Sequence, residues 1–164
     1  MAASGKKANQ GDNQPLIRNR RARYDYLITE TLECGLNLLG TEVKSLRNGQ
    51  ASLQEGYVRA ELDPPRLTLH SVHIAEYPNA SSVHQHDPTR PRRLLAHKRE
   101  IRKLAKALAT KGVTIVPLEI HWVNGRAKLL IGIGTGKRAY DKRQALKAKA
   151  HNRDMEGGRY RPGR

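Results

Sequence analysis

The positive charge of this chain is gathered into separate segments, and this division limits which part of the sequence can fold. Of 164 residues, 31 are Lys or Arg and 15 are Asp or Glu, a formal net charge of +16. By segment, the net charge is +5 over 1–24, −5 over 25–88, +8 over 89–111, +1 over 112–136 and +7 over 137–164. Because basic, polar segments bury too little apolar surface to fold alone, we expect disordered tails over 1–17 and 137–164 and one folded domain over 18–136.

A basic helix is predicted between residues 92 and 111. Apolar residues, among them Leu94 and Leu95, recur there at helical spacing. The polar side carries five basic residues and one acidic residue, namely Lys98, Arg99, Arg102, Lys103, Lys106 and Glu100. Like charges four residues apart destabilise a helix, so a sequence that keeps them favours a polyanionic partner. Since neutralising phosphates releases condensed counterions, we predict that this partner is nucleic acid.

The remaining composition favours a reducing compartment without a membrane. A single cysteine, Cys34, excludes an internal disulfide framework. The longest apolar stretches fall far short of the roughly 20 residues that a membrane span needs. The first 15 residues lack the apolar segment of a secretory signal. We therefore expect a cytoplasmic protein with no membrane partner.

The order of the predicted elements indicates a mainly β fold. Strands are predicted over 25–33, 36–39, 56–62, 66–74, 113–121 and 127–133, a short helix over 42–47, and the basic helix over 92–111. The first strand is expected to end at Cys34–Gly35, with Tyr26, Ile28 and Leu32 on one face. Asn124–Gly125 is the strongest hairpin signal. Because strands and helices do not alternate, we expect a closed barrel of about six strands with two or three outer helices.

The sequence offers no residue set typical of an enzyme, a metal site or a cofactor site. The glycine run 132–137 has the wrong spacing for a phosphate-binding loop, and Arg138 replaces the required Ser or Thr. We interpret that run as a flexible junction between a strand and the tail. His84 and His86 lie in a polar loop without a second ligand group, and Cys34 is best explained as small core filler. We predict a protein that is not an enzyme and needs no cofactor.

Several motifs of this sequence occur in an order that resembles one known family. They are NRRARYDY (19–26), ECGL (33–36), LGTEVKSLR (39–47), DPTR (87–90) followed by RLL (93–95), and GKR (136–138) followed by YDKR (140–143). Together they resemble the SmpB family, the tmRNA-binding proteins of bacterial trans-translation. The resemblance covers about residues 19–143, with a looser match beyond.

The resemblance implies a fold, a set of partners and a task. The fold would be a barrel of the oligonucleotide-binding type, and the protein would be a monomer. It would bind the tRNA-like domain of tmRNA and stand in for the missing anticodon arm. With alanyl-tmRNA and elongation factor Tu it would enter ribosomes stalled on messages that lack a stop codon. Its tail would become helical in the empty mRNA channel, beside the decoding centre and ribosomal RNA.

The resemblance also implies which residues contact tmRNA. They are Asn19, Arg20, Arg21, Arg23, Tyr24, Glu33, Leu95 and Lys128. Lys128 could neutralise a phosphate, whereas Glu33 and Asn19 could hydrogen-bond a base edge or a 2′-hydroxyl. Tyr24 could stack on an unpaired base. Two alternatives stay open, because Glu33 could instead pair with an arginine and Leu95 could belong to the core.

The residues implied in ribosome binding lie where the tail begins. They are Gly136, Lys137, Arg138, Asp141, Lys142, Arg143, Lys147 and Lys149, whose basic members would meet ribosomal RNA phosphates. One departure from the family is His97, a poor N-cap where Asn is more usual. The alternative function is a barrel-type ribosomal protein or initiation factor bound permanently to ribosomal RNA.

Overall fold

A computed structural model describes residues 15–137, which form two antiparallel sheets and three α-helices. The elements are β1 (Ile17–Arg18), α1 (Ala22–Asp25), β2 (Tyr26–Leu36), α2 (Gly40–Arg47), β3 (Ala51–Ser52), β4 (Tyr57–Leu62), β5 (Pro65–His70), β6 (His73–Ile74), β7 (Arg92–Leu95), α3 (Lys98–Leu108), β8 (Val113–Val123) and β9 (Arg126–Gly136). The main sheet has the strand order β1-β8-β9-β2-β7-β5-β4, and β3 pairs with β6. The predicted mainly β fold with flanking helices is confirmed.

The main sheet curls but its hydrogen-bonded ladder stays open. Strands β1 and β4 are its two edges, and within residues 15–137 no ladder joins them. The curl brings β4 close to β8 and to α3. The closed barrel expected from the sequence is therefore not confirmed. Ile17, expected in the disordered tail, pairs with Ile120 and is 8% exposed, so the folded domain includes at least one residue more than predicted and a short strand, β1, that was not predicted.

Strand β2 is one continuous strand, so the predicted break at Cys34–Gly35 and the separate strand over 36–39 are wrong. Gly35 pairs with Leu95 on one side and with Lys128 on the other. A Cβ atom at Gly35 would lie 3.2 Å from the Leu95 Cβ, closer than ordinary packing. Glycine thus lets β7 and its Leu95 side chain lie against β2, which is a tertiary requirement that local pattern cannot reveal.

A β-bulge corrects the predicted facing of β2. The β2–β9 register shifts between Ile28 and Glu30. Before the shift, Tyr26 and Ile28 pack on a small apolar cluster under α1. After it, Leu32 packs on the main core on the opposite side of the sheet. The prediction that all three share one face is wrong because the extra residue of a bulge reverses the alternation.

The segment predicted as one helix from residue 92 is instead a strand followed by a helix. In β7, Leu94 is 2% exposed and Leu95 is 54% exposed, the alternation of a strand. Helix α3 starts after His97, whose N–H donates to Glu100 Oε2 at 2.8 Å. This hydrogen bond gives a partner to one of the backbone N–H groups that have none within the helix, although His97 is itself a poor capping residue. The five basic side chains of α3 are exposed, and its apolar side joins the main core.

The β8–β9 hairpin is confirmed, but its glycine run is no flexible junction. Asn124 and Gly125 have φ of 50° and 71°, as a two-residue turn of this type requires. Gly132 and Gly134 lie inside β9, and a Cβ at Gly134 would lie 2.6 Å from the Leu27 carbonyl oxygen. The run therefore allows β9 to approach β2 closely.

A buried ion-pair cluster fastens α2 to the loop before β7. We call it the Glu42 cluster, formed by Glu42, Arg90 and Arg92. The Glu42 carboxylate accepts from Arg92 Nε at 2.8 Å, Arg90 Nη2 at 2.6 Å and the Leu39 N–H at 2.7 Å. Burial alone would raise the pKa of Glu42, but these hydrogen bonds outweigh it and hold the pKa below its usual value. Leu39, whose N–H donates to this carboxylate, is the N-cap of α2, so the helix begins two residues earlier than predicted.

Candidate RNA-binding surface

Four strands present a row of side chains on the outer face of the main sheet. Leu95 on β7 pairs with Gly35 on β2, Gly35 with Lys128 on β9, and Lys128 with His121 on β8. The neighbouring residues along these strands, Leu94, Cys34, Leu129 and Ile120, are all buried in the main core. Because side chains alternate along a strand, the row itself points away from the core.

Glu33 lies on the same face and is bound by two members of this row. Its Oε2 lies 3.1 Å from His121 Nε2, and its Oε1 lies 3.6 Å from Lys128 Nζ. The Glu33 side chain is 46% exposed. The ion pair with an arginine, offered as an alternative role, is not the one observed, since Glu33 pairs with a lysine and a histidine. Its carboxylate is thus held in place yet remains accessible to an RNA donor.

Leu95 is exposed rather than part of the core, which settles the second open question. Its side chain covers Gly35 and borders a groove that also reaches residues packed against the main core. The groove is lined by apolar residues, among them Leu38, Val43 and Trp122, and by the basic residues Arg126 and Lys128. Such a groove can accept the flat apolar side of a base while the basic residues meet phosphates.

The basic segment around α1 shares this outer face. Ala22 is 2% exposed and packs with Val116, Leu118 and the partly buried Leu130. Leu130 lies two residues from Lys128 along β9, on the same side of the sheet. Arg20, Arg21 and Arg23 are exposed, and Tyr24 is half-buried. We call this set the candidate RNA-binding surface: Arg20, Arg21, Arg23, Tyr24, Glu33, Leu95, His121 and Lys128.

The family model for the SmpB protein matches residues 16–159 of this chain. The chain belongs to the SmpB family. An SsrA-binding protein of Limosilactobacillus reuteri is 46% identical over 152 residues, covering 92% of this chain and 95% of the relative. One from Prochlorococcus marinus strain MIT 9211 is also 46% identical, over 158 residues and 94% of each protein. One from Thermosynechococcus vestitus is 47% identical, covering 86% of this chain and 91% of the relative.

A solved structure agrees with this membership. It bears the name "tmRNA-SmpB: a journey to the center of the bacterial ribosome". It matches with a TM-score of 0.64 at 43% identity, covering 80% of this chain and 94% of the other. The fold of the SmpB family is therefore the fold of this chain.

The structure places one predicted contact residue of this SmpB-family chain in the interior. Asn19 is 6% exposed. Its Nδ2 donates to the carbonyl oxygens of Leu53 at 2.9 Å and Pro117 at 3.1 Å, and its Oδ1 accepts from the Ala22 N–H at 3.1 Å. The amide thus serves the protein's own backbone, and the predicted contact with a base finds no support in this geometry. Asn19 instead holds the start of α1.

His121 is the member of the surface that sequence reasoning missed. It follows the buried strand residue Ile120 and lies outside the motifs that the sequence analysis compared with the family. Its link to Glu33 spans 88 positions and depends on the β8–β9–β2 pairing. The alternation of β8 could have marked it as outward-facing, but not as a partner of Glu33.

The beginning of the tail is described only as far as Lys137. Gly136 ends β9 and is exposed, and Lys137 is hydrogen-bonded to the α1 segment. Arg138, Asp141, Lys142, Arg143, Lys147 and Lys149 lie outside the described residues.

Catalytic and metal chemistry gain no support from the described part of the chain. Burial, with the nearby Glu100 and Glu33 carboxylates, raises the pKa of the Cys34 thiol to about 12, so it stays protonated and unreactive at neutral pH. Residues 15–137 contain no group of three or more His, Cys, Asp or Glu side chains placed to hold a metal ion. His86 is buried against Thr41 and Ile74, at 2.9 and 3.2 Å. No helix in this range has the length and apolar character to cross a membrane.

Proposed function

We propose that this SmpB-family protein binds the tRNA-like domain of tmRNA and delivers alanyl-tmRNA, with elongation factor Tu, to ribosomes stalled on messages without a stop codon. The relatives named SsrA-binding proteins support this assignment, as does the structural neighbour named for tmRNA–SmpB and the ribosome. The observation that carries it is the meeting of Glu33, Leu95 and Lys128 on one exposed face. These residues are far apart in sequence and share no role in the core.

The chemistry of the surface suits a folded RNA. Lys128 and the exposed arginines near α1 would neutralise phosphates and release counterions. The Glu33 carboxylate would accept from an amino group or a 2′-hydroxyl, and Leu95 would pack on a base at the groove. Charge supplies affinity to any RNA, whereas the fixed acceptor and the groove supply the preference for one RNA shape. Binding, not catalysis, is the proposed action.

The tail supplies the second part of the proposal. Residues 137–164 carry ten basic and three acidic residues, a charge that suits the phosphate-lined mRNA channel and decoding centre of the small subunit. We place Asp141, Lys142 and Arg143 in that step, on the strength of the YDKR motif. The protein would act as a cytoplasmic monomer that stands in for the anticodon arm. A permanent ribosomal component is not favoured, because the chain belongs to the SmpB family.

Separate variants of the two parts test this proposal. The double change Asp141→Ala with Lys142→Ala should leave tmRNA affinity unchanged and abolish tagging of a stalled peptide in a reconstituted ribosome reaction. Glu33→Ala with Lys128→Ala should weaken tmRNA binding first, and lose tagging only as a consequence. Loss of tmRNA binding in the tail variant would contradict the division into two parts. Ribosome sedimentation adds a check, since an adaptor is present in less than one copy per ribosome.

A further inference from the structure

The first residue after the main sheet is held against the α1 segment by two hydrogen bonds. The N–H of Lys137 donates to the Asp25 carbonyl oxygen at 2.9 Å. The ammonium Nζ of the same residue donates to the Arg23 carbonyl oxygen, also at 2.9 Å. The chain therefore leaves β9 with its next residue already fixed to the segment that carries the exposed arginines.

The chemistry of this contact suits the end of a helix. The last carbonyl groups of a helix lack donors within the helix, and they carry partial negative charge. A lysine ammonium satisfies such a group and interacts favourably with the dipole of the peptide bonds. The Lys137 ammonium is thus engaged by the protein itself in the absence of RNA.

The same segment is fastened independently at its other end. The buried Asn19 accepts the Ala22 N–H and donates to the Leu53 and Pro117 carbonyl oxygens. Ala22 packs between the sheet residues Val116 and Leu118. Helix α1 is therefore a fixed part of the sheet's outer face, and a residue bound to it takes a fixed direction.

We propose that Lys137 is a positioning residue that sets the direction in which the C-terminal tail leaves the domain, relative to the candidate RNA-binding surface. This inference rests on the proposed function, in which one surface holds tmRNA while the tail acts at a distance. Because Lys137 and the exposed arginines belong to one hydrogen-bonded unit, tmRNA bound at those arginines would have a set orientation relative to the first residue of the tail. Loss of the ammonium should spare tmRNA binding and impair the tail-dependent step.

Distance measurements on the full-length free protein test the positioning directly. Spin labels are placed at Ala139→Cys, two residues beyond Lys137, and at Arg66→Cys on β5, whose own side chain is exposed. Cys34 stays in place, because its buried thiol with a pKa of about 12 escapes labelling under native conditions. Lys137→Met should broaden the distance distribution, and Lys137→Arg, which keeps a charged donor, should restore it. Lys111→Met removes an equal charge at an exposed site and should change nothing.

Functional measurements on the same variants separate positioning from a phosphate contact. Lys137→Met should keep tmRNA affinity within about twofold, as expected for a side chain that does not touch the RNA. Tagging on stalled ribosomes should fall about three- to tenfold, the range for losing one typical hydrogen bond.

Two results would overturn the positioning role. One is an unchanged distance distribution in Lys137→Met, and the other is a loss of tmRNA affinity with a salt slope smaller by about one, which marks a phosphate contact. Failure of the proposed function would give a different result. The wild-type protein would then show no preference for tmRNA, regardless of the measured distances.

Discussion

Two regions of this molecule each hold a glutamate carboxylate between two nitrogen-bearing side chains, and the two regions differ in exposure. Glu42 lies between two arginines, whereas Glu33 lies between a lysine and a histidine. In the Glu42 cluster the carboxylate and Arg92 are both 0% exposed. On the candidate RNA-binding surface Glu33 is 46% exposed, Lys128 33% and His121 25%. The buried cluster has its remaining donors satisfied as well, since Arg92 also donates to the carbonyl oxygens of Val72 and Pro88.

This difference in exposure separates a structural role from a binding role. A buried charge that loses its partner is left without solvent, so the Glu42 cluster cannot exchange partners and acts to fix α2 against the loop. An exposed pair is worth little to stability because water can replace either partner. The pair at Glu33 can therefore open toward RNA at small cost. A glutamate held by neighbouring nitrogen donors thus stabilises the fold where it is buried and offers a binding site where it is exposed.

The largest expected effect comes from removing the charge of the buried Glu42. Glu42→Gln should lower the free energy of unfolding by about 3–5 kcal/mol, because Arg92 would stay buried without its counter-charge. Urea denaturation followed by circular dichroism measures this change. Glu33→Gln is the matched control and should shift the unfolding free energy by less than about 0.5 kcal/mol. Equal losses in the two variants would show that burial does not distinguish the clusters.

Lowering the pH should also reduce the stabilisation that the Glu42 cluster gives to the folded protein. The pKa of Glu42 is lower in the folded protein than its usual value of 4.5, so the folded state binds this proton more weakly than the unfolded state. Its stabilisation is therefore complete above pH 4.5 and is lost as the pH falls through the lower folded pKa. Urea midpoints measured from pH 6 downward should fall more steeply for the wild type than for Glu42→Gln. Parallel curves would contradict the assignment.

A variant of Lys128 tests whether the exposed cluster around Glu33 acts in binding rather than in stability. Lys128→Met should weaken tmRNA binding about fivefold and reduce the salt slope by about one, because one phosphate contact is lost. The free energy of unfolding should stay within about 0.5 kcal/mol of the wild type. Filter-binding titrations over a salt series provide the measurement. Arg126→Met removes a neighbouring exposed charge that lines the groove and shows whether position matters beyond charge.

The smallest expected effect concerns the residue that orients Glu33. His121→Phe should weaken tmRNA binding about threefold, because the Glu33 carboxylate loses the hydrogen bond that holds it. His121→Gln, which keeps an N–H donor, should restore part of this loss. Combining His121→Phe with Glu33→Gln should cost no more than Glu33→Gln alone, since the histidine acts through the carboxylate. Additive losses would mean that His121 contacts RNA by itself.

Local sequence pattern predicted those parts of the fold that depend on neighbours in the chain. The β8–β9 hairpin follows from Asn124–Gly125, and the buried side of α3 from its periodic apolar residues. Features that depend on distant partners were missed. From sequence alone, Gly35 predicts the end of a strand, whereas in the sheet it pairs with Leu95 and Lys128. The bulge in β2 likewise has no signal in the residues of that strand.

The candidate site divides in the same way. The family resemblance selected Glu33 and Leu95 within its motifs and Lys128 by its position, and the sheet brings the three together. It could not distinguish a residue that contacts RNA from one that supports the fold. Asn19 belongs to the same motif as the exposed arginines, yet it is buried among backbone groups. His121 carries no motif and acts only through a partner 88 positions away. Burial and pairing, which decide these roles, are properties of the folded sheet.

A competition titration tests most directly whether the exposed surface recognises tmRNA by shape. The full-length protein is titrated with the tRNA-like domain of tmRNA against an ordinary elongator tRNA, at two salt concentrations, beside the Glu33→Gln variant. We expect the wild type to prefer tmRNA at both salt concentrations, and the variant to lose much of that preference while it keeps its salt dependence. Equal affinities for the two RNAs that fall together with added salt would contradict this, because charge alone would then account for binding.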